Sequence, residues 1–258
     1  MILNNKGEEI LKHIAIIPAR GGSIGIVNKN LQEIKGKSLV RISWDSCVKS
    51  NIFSTVLLSS DSKDILREVC SEAEFNNLQN EDIRYLSESL AIHKRSENEA
   101  MELSNIKDLL FKLANRKELV FDFLWLIQPT TPFRRIEEFK EIVNLINSKL
   151  EWTSIVSVKE STQNHPSRMF ELNNSYLQPY TGNSQEDGLP RQLLSQVLIK
   201  DGGYYVFKKQ NLINQIFLGS YAIPFIRSSN YNVNIDTPED LNYARYLADS
   251  FNLEVDSK

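Results

Sequence analysis

Short apolar runs alternate with segments of helical spacing along the first 150 positions. His13–Ala19 predicts a buried strand that runs directly into the polar stretch 20–30. Ser54–Ser60 (S-T-V-L-L-S-S) predicts a second strand, and Phe121–Ile127 (F-D-F-L-W-L-I) a central one. Helical patterns fall between them, near Ser38–Lys49, over Ser62–Glu74 with Ile65, Leu66, Val69 and Ala73 in register, and along Ser96–Asn115. Arg135–Lys149 then aligns Ile136, Phe139, Ile142, Val143 and Ile146 on one face. Strands that alternate with helices predict an α/β fold whose mostly parallel sheet is covered on both sides. Ligands of such sheets bind outside the carboxyl ends of the strands. Three polar motifs fall there: P-A-R after the first strand, S-S-D after the second, and Q-P-T-T-P-F-R after the central one.

The pattern changes at Trp152. Thr153–Val158 reads as a strand, and residues 161–188 are polar and turn-rich, with short aromatic segments at Met169–Leu172 and Tyr176–Tyr180. That stretch is either a surface excursion or an arm that packs on a second subunit. More strand signal lies in Ala222–Ile235. Thr237-Pro238-Glu239-Asp240 then opens a last helix with a capping hydroxyl, proline at the first helical position and acids in the first turn.

Composition narrows the function classes. A chain of 258 residues suffices for one large α/β domain with a small appendage and is short of two full domains. A net charge of −3 argues against a broad nucleic-acid surface. No run of 18 apolar residues predicts a membrane span, and the first residues lack the apolar centre of a secretory leader, so a cytoplasmic protein is expected. Cys47 and Cys70 fall in two different predicted helices without metal-ligand spacing, and read as buried thiols in a reducing compartment. His13 and His165 have no motif partners for a metal site or a triad.

The densest chemistry lies in I-A-I-I-P-A-R-G-G-S-I-G-I-V-N-K-N, residues 14–30. A strand entering a loop of small residues lets backbone N–H groups of Ala19, Gly21, Gly22, Ser23 and Gly25 turn toward phosphate oxygens. Arg20 and Lys29 add fixed positive charge, and Asn30 a polar side chain. The loop lacks the spacing of G-x-x-x-x-G-K-[ST] and of G-x-G-x-x-G. Gln128, at a strand end, offers both an amide donor and a carbonyl acceptor. Asp236, at a strand end just ahead of a capped helix, is placed to hold a hard cation, and Asp61 is a looser candidate for the polar rim.

These motifs together resemble the acylneuraminate cytidylyltransferase family, with its legionaminate and pseudaminate relatives. The family's first loop typically reads P-A-R-x-G-S-K-G-[IL]-P-x-K-N. This chain keeps Pro18, Ala19, Arg20, Gly22, Ser23, Gly25, Lys29 and Asn30, and carries Ile24 and Val27 at the lysine and proline positions. Gln128–Arg134 matches L-Q-P-T-[ST]-P-[LF]-R. Residues 234–241 resemble D-I-D-T-x-x-D-[LF], with Asn234 at the first aspartate; residues 190–205 resemble P-R-Q followed by G-[AG]-x-Y.

The resemblance implies a Rossmann-like three-layer sandwich of the nucleotide-diphospho-sugar transferase type. It implies a single cytidylyltransferase domain over residues 1–258, in which residues 160–205 form a β-rich dimerisation and substrate-pocket insertion. The expected reaction is Mg²⁺-dependent transfer of CMP from CTP to an acidic nine-carbon sugar with release of pyrophosphate, in surface glycan biosynthesis. The expected partners are CTP, the acidic sugar and a second copy of the chain, with no nucleic acid and no membrane. By analogy Arg20, Lys29 and Asp236 are catalytic, the first loop and Arg84 hold the nucleotide, Gln128, Arg168 and Arg191 hold the sugar, and Asp236 with Asn234 holds the metal. Residues 84–96 match poorly, and His93, Lys94 and Arg95 either replace the lost positive charge or, as the simpler reading, form a solvated loop. Asp201, at a usual asparagine, and Ile199, at a usual arginine, are expected to make the sugar pocket less suited to an anion. These departures leave two alternatives: a related cytidylyltransferase for another sugar acid, or a catalytically impaired homologue that serves as a binding or partner subunit.

Overall fold

The structure is a computed structural model that describes residues 11–23, 25–76, 78–96, 105–148, 151–161, 164–180, 188–227 and 231–251. Its centre is an eight-stranded sheet. In chain order the strands among the described residues are β1 (His13–Pro18), β2 (Glu33–Ile34), β3 (Lys37–Ser38), β4 (Thr55–Ser60), β5 (Ile83–Tyr85), β6 (Leu90–Lys94), β7 (Phe123–Leu126), β8 (Ser154–Glu160), β9 (Phe170–Asn173), β10 (Tyr176–Pro179), β11 (Leu198–Lys208) and β12 (Ala222–Ile226). The large sheet has the order β12-β8-β11-β7-β1-β4-β6-β5, while β2 with β3 and β9 with β10 form separate two-stranded ribbons.

Strand β1 pairs in parallel with both β4 and β7, β4 with β6, and β8 with β12. Strand β11 runs antiparallel between β7 and β8, and β5 runs antiparallel on the edge. The carboxyl ends of β1, β4, β6, β7, β8 and β12 therefore share one rim. The chain proceeds outward from β1 to β4 and β6 and then crosses back to β7, so the order reverses between β1 and β7. The rim beside that reversal is where an open α/β sheet makes its ligand crevice.

Seven α-helices are described: α1 (Leu39–Ser50), α2 (Lys63–Arg67), α3 (Glu72–Asn76), α4 (Ile106–Ala114), α5 (Ile136–Ile146), α6 (Lys209–Ile213) and α7 (Pro238–Ser250). The two-residue alternation of the strands feeds two cores. Ala15, Ile17, Val56, Leu58, Phe123 and Trp125 pack with α1, α2 and α5 through Val40, Trp44, Ile65, Phe139 and Ile142. Ile14, Ile16, Leu57, Leu124 and Leu126 point to the opposite face, against Leu109, Leu110 and Leu113 of α4 and Leu212 of α6. This is the expected three-layer sandwich. Each fully buried aliphatic side chain contributes about 1.5–3 kcal/mol by leaving water. A smaller cluster joins Leu241, Ala244 and Ala248 of α7 to Ile26, Ile34, Leu39 and Ile42, and so packs the last helix against the first loop.

Local signals set the ends. Ser38 caps α1 by accepting from the Arg41 N–H at 3.1 Å. Thr237 caps α7 with a reciprocal Asp240, and Pro238 occupies the first turn. The pattern over Ser62–Glu74 becomes two short helices, with Cys70 half-buried between them outside either helix and Cys47 buried in α1. The helix expected over Ser96–Asn115 is described only from its cap at Asn105, because 97–104 lie outside the described residues. The strand signal of Ala222–Ile235 is realised only as far as Ile226, and Ile235 is instead a buried anchor.

Periodicity missed β5 and β6, at one edge of the sheet, and also β11. Residues 84–94 form most of the β5–β6 edge; His93 and Arg95, expected with Lys94 as a solvated loop, are buried. Strand β11 was hidden by Asp201-Gly202-Gly203. Between β8 and β11, whose ends pair at Glu160 and Leu198, the described residues include the β9–β10 ribbon. The last part of the 160–205 insertion, from Leu198, is sheet strand rather than excursion.

Candidate active site

The rim between β1 and β7 opens into a cleft of about 840 Å³ lined by residues from the first loop, the end of β6, α4, the end of β7, β11 and the stretch before α7. Most of the sequence-derived motifs converge here. Arg20, Ser23, Lys29, Asn30, Gln128, Asn234 and Asp236 all line it.

The first loop is braced rather than loose. The Asn30 side chain donates to the Arg20 carbonyl at 2.9 Å, and the Gly21 N–H donates to Asp61 Oδ1 at 3.1 Å. The Ala19 N–H is spent on the Ser59 carbonyl at 2.9 Å. Ala19 is also buried, so of the expected cradle donors Ala19 and Gly21 serve the fold first. The N–H groups of Gly22, Ser23 and Gly25 make no hydrogen bond among the described residues. Ile24 lies outside the described residues. A Cβ on Gly25 would lie 2.6 Å from the Asp236 carbonyl oxygen, so only glycine allows the loop to approach the Asn234–Asp236 segment this closely.

That segment faces Lys29. Lys29 Nζ donates to Asp236 Oδ1 at 3.0 Å, Asn234 Nδ2 donates to Asp236 Oδ2 at 2.6 Å, and Thr130 donates to Asn234 Oδ1 at 2.8 Å. The Asp236 N–H in turn donates to Asp240 at 3.0 Å. Burial raises the Asp240 carboxyl, but hydrogen bonds from Asp236 and Thr237 outweigh it and leave its pKa below the usual value. No group of three or more His, Cys, Asp or Glu side chains that could hold a metal occurs among the described residues. The donor set is therefore one carboxylate plus an amide oxygen. This set fits Mg²⁺, which keeps water and takes one or two carboxylates together with substrate phosphates.

Two buried arginines organise the far wall. Arg134, the last residue of the Q-P-T-T-P-F-R motif, donates to the Gln128 carbonyl at 2.5 Å, to Thr131 Oγ1 at 2.7 Å, and to Ser43 of α1 at 3.1 Å. Arg227 donates to both Glu138 oxygens at 3.1 Å, and lies 3.4 Å from Asp201 Oδ2. Burial lowers the Arg227 pKa, but Glu138, Tyr204 and Asp201 overcome it and hold the guanidinium charged. Tyr204 donates to Glu138 at 2.8 Å; burial, then the same carboxylate, drives its pKa well up. Asp201 also accepts from Ser157 Oγ at 2.5 Å and from the Gly203 N–H at 2.9 Å. Asp201, expected with Ile199 to make the pocket less suited to an anion, has its charge buried and matched by Arg227.

Other expected residues lie apart. Arg84 donates to the Glu74 carbonyl at 2.7 Å from edge strand β5, outside the cleft. The cleft-facing arginine of that region is Arg95. It follows β6, its N–H donates to the Ser60 carbonyl at 2.8 Å, and its guanidinium lies 3.8 Å from Asp61. The spacing with β4, rather than any motif, reveals it. Arg168 is exposed at the end of a 3-10 turn outside the cleft, and Arg191 opens another such turn in the excursion. Sequence reading also missed Lys200, Tyr205, Asp108 and Lys112, which line the cleft from β11 and α4.

Residues 14–99 match the cytidylyltransferase family. The chain is 26% identical over 234 residues to an N-acylneuraminate cytidylyltransferase of Streptococcus agalactiae, covering 89% of this chain and 52% of that protein. It thus spans about half the length of that relative. It is 26% identical over 237 residues to the CMP-N,N′-diacetyllegionaminic acid synthase of Legionella pneumophila, covering 89% of this chain and 93% of the other. Among solved structures, a CMP-2-keto-3-deoxy-manno-octonic acid synthetase complexed with CTP superposes with a TM-score of 0.65 at 15% identity over 93% of this chain and 99% of that one. At that identity the likeness concerns the fold.

Proposed function

We propose that the chain is a divergent cytidylyltransferase that transfers CMP from CTP to the anomeric hydroxyl of an acidic, sialic-acid-like sugar, a reading supported by the family match over residues 14–99 and by the relatives of 26% identity. The observation that carries the reading is the meeting of the first loop, Gln128 and Asp236 around one cleft at the β1/β7 reversal. Its volume of about 840 Å³ is of the size that holds a nucleotide and a small acceptor. The names of the streptococcal and Legionella relatives suggest the substrate class.

In this reading the anomeric oxygen attacks the α-phosphorus in line. The new oxygen–phosphorus bond forms as the bond to the bridging oxygen breaks, pyrophosphate leaves with that electron pair, and the hydroxyl proton passes to solvent. Arg20, Lys29 and the N–H groups of Gly22, Ser23 and Gly25 neutralise the phosphates, and Asn30 keeps the loop in shape. Arg95, in place of Arg84, serves the nucleotide. Gln128 orients the acceptor, with Arg168 and Arg191 brought in from the excursion. Positioning and charge neutralisation supply most of the rate. Asp236 and the Asn234 side-chain oxygen would hold Mg²⁺, which when bound adds positive charge beside the phosphates.

The exposed Phe170, Leu172, Tyr176 and Leu177 of the β9–β10 ribbon support the dimerisation role of residues 160–205 within a single domain. The protein would work in the cytoplasm, where CTP is available, on a route to a surface glycan. No described helix is long and apolar enough to cross a membrane.

The test is pyrophosphate release with CTP and Mg²⁺ against N-acetylneuraminic, N,N′-diacetyllegionaminic and pseudaminic acids and 3-deoxy-octulosonate. Turnover of a nine-carbon acid supports the reading, and turnover of octulosonate alone moves the enzyme to another sugar acid. Release with none, on folded protein, refutes it and favours the second reading, a binding homologue. Asn234 in the metal segment and the pairing of both Asp236 oxygens are the observations behind that alternative.

A further inference from the structure

We propose that Lys200 reads the anionic group of the acceptor, as the specificity-determining cation of the cleft's far wall. This inference rests on the reading of the cleft as a site for an acidic acceptor.

The placement comes from an irregularity in β11. Lys200 pairs with Val158 of β8, and Tyr205 with Val156, so residues 201–204 stand opposite Ser157 alone. Bulges of this kind re-aim side chains beside active sites. Here Asp201 turns inward, held by Ser157, the Gly203 N–H and Arg227. Gly202, at φ +79°, brings its backbone close to Gln128; a Cβ there would lie 3.2 Å from Gln128 Oε1. Gly203 leaves room for Arg227, whose Nη1 would lie 2.8 Å from an added Cβ. The inward turn of Asp201 leaves its neighbour Lys200 on the cleft side, exposed, beside Gly202, Tyr205 and Gln128.

The charge balance separates Lys200 from its neighbours. Lys29 faces Asp236, Arg95 faces Asp61, and Lys112 is paired with Glu81. Lys200 has no ion-pair partner among the described residues. Its carboxylate neighbour in sequence, Asp201, is already matched by Arg227, so Lys200 adds uncompensated positive charge to this wall.

Position decides which anion it meets. The phosphate loop follows β1, and β11 lies two strands away across β7. Two strand spacings are about 10 Å, so Lys200 stands on the acceptor side of Gln128 rather than over the first loop. A lysine gives a compact point charge suited to a single carboxylate, and it is lost without structural cost because the side chain is exposed.

The experiment compares wild type with Lys200→Met and Lys200→Arg, using N-acetylneuraminic acid, N,N′-diacetyllegionaminic acid and the carboxamide of whichever acid binds. KM for the acid and for CTP are measured by pyrophosphate release, and acid affinity by calorimetry in the presence of CMP. Lys200→Met is expected to raise the KM and Kd for the acid about 10- to 100-fold, as for loss of a charged hydrogen bond, with KM for CTP within twofold. Lys200→Arg is expected to restore most of the affinity. Wild type is expected to prefer acid over carboxamide, and Lys200→Met to lose that preference. Unchanged acid affinity, an equal loss for CTP, or a preserved preference overturns the role of Lys200. If wild type binds the acids without turnover, the proposed reaction fails while calorimetry still decides on Lys200. If it binds no acid, both fall.

Discussion

Lys29 and Asp236 stand 207 positions apart in the chain and meet at 3.0 Å across the cleft floor. The contact draws the first loop onto the segment ahead of α7, and Gly25 makes it possible by letting the loop backbone press on the Asp236 carbonyl. A pair of this kind neutralises itself in the free protein, and the proposed reaction requires it to separate, or admit a cation, when a triphosphate enters.

Removal of the lysine tests the phosphate role. Lys29→Ala is expected to lower kcat/KM for CTP about 10- to 100-fold, equivalent to about 1.5–3 kcal/mol for a charged hydrogen bond. Steady-state pyrophosphate release measures it. Unchanged kinetics would assign the lysine to the fold alone.

The amide beside Asp236 is expected to limit metal affinity. Asn234→Asp adds a second carboxylate where Asn234 now donates at 2.6 Å. Without metal the like charges should cost about 1 kcal/mol, and with Mg²⁺ the variant should gain more thermal stability than wild type. Melting curves with and without Mg²⁺ read both effects, and an equal Mg²⁺ response in the two proteins would argue that the metal binds elsewhere.

Glycine 25 is expected to resist substitution. Gly25→Ala forces a Cβ against the Asp236 carbonyl at 2.6 Å, so the loop must shift. CTP affinity should fall about tenfold, or about 1.4 kcal/mol, with far-UV circular dichroism unchanged. Titration of CTP by calorimetry measures the loss.

The buried arginine of the far wall carries stability. Arg227→Met leaves Glu138 and Asp201 buried without their cation, which costs about 3–5 kcal/mol. For a domain of this size the Tm should drop by about 6–20 °C. Calorimetric scanning checks this, and a change of a degree or two would mean the carboxylates simply take up protons.

Acid should weaken the fold through two histidines. Burial pushes His13 down to about 4, partly countered by Asp122, and pushes His93 down to about 4, partly countered by Glu81. His13 Nδ1 accepts from Trp125 Nε1 at 3.1 Å, which requires that nitrogen unprotonated. The unfolded chain takes up these protons near the ordinary histidine value of about 6.5, while the folded chain resists until about 4. The unfolded state thus binds more protons in between, and stability falls as pH drops through that window, by about 2 kcal/mol per histidine from pH 7 to 5. Urea titrations at the two values measure the slope, and His93→Gln should flatten it.

Much of this architecture was legible in the chain. The alternation in β1, β4 and β7 reports directly which core each residue joins, the P-A-R and Q-P-T motifs mark strand ends, and D-T-P marks the start of α7. What escaped has physical reasons. His93 and Lys94 make β6 look polar, because neither the Ser59 hydroxyl 2.9 Å from His93 nor the edge position of β5 is visible in sequence. Arg84 drew attention as the first arginine of a weak motif, yet strand pairing delivers Arg95 to the rim. Asp201-Gly202-Gly203 breaks the apolar alternation of a strand, and only tertiary contact with Ser157 and Arg227 makes it a bulge within one. The charge of Asp201 was read without its partner, 26 residues on.

The antiparallel setting of β11 beside β8 has one more consequence. Because β8 ends and β11 begins at the cleft, the chain between them is anchored at two adjacent points and closes on itself there. Its length and composition can drift without shifting the register of the sheet or disturbing the first loop, which grows from a different strand. In the proposed reaction, changes in that chain would thus reach the acceptor side of the cleft while the first loop stays fixed by β1 and its neighbours β4 and β7.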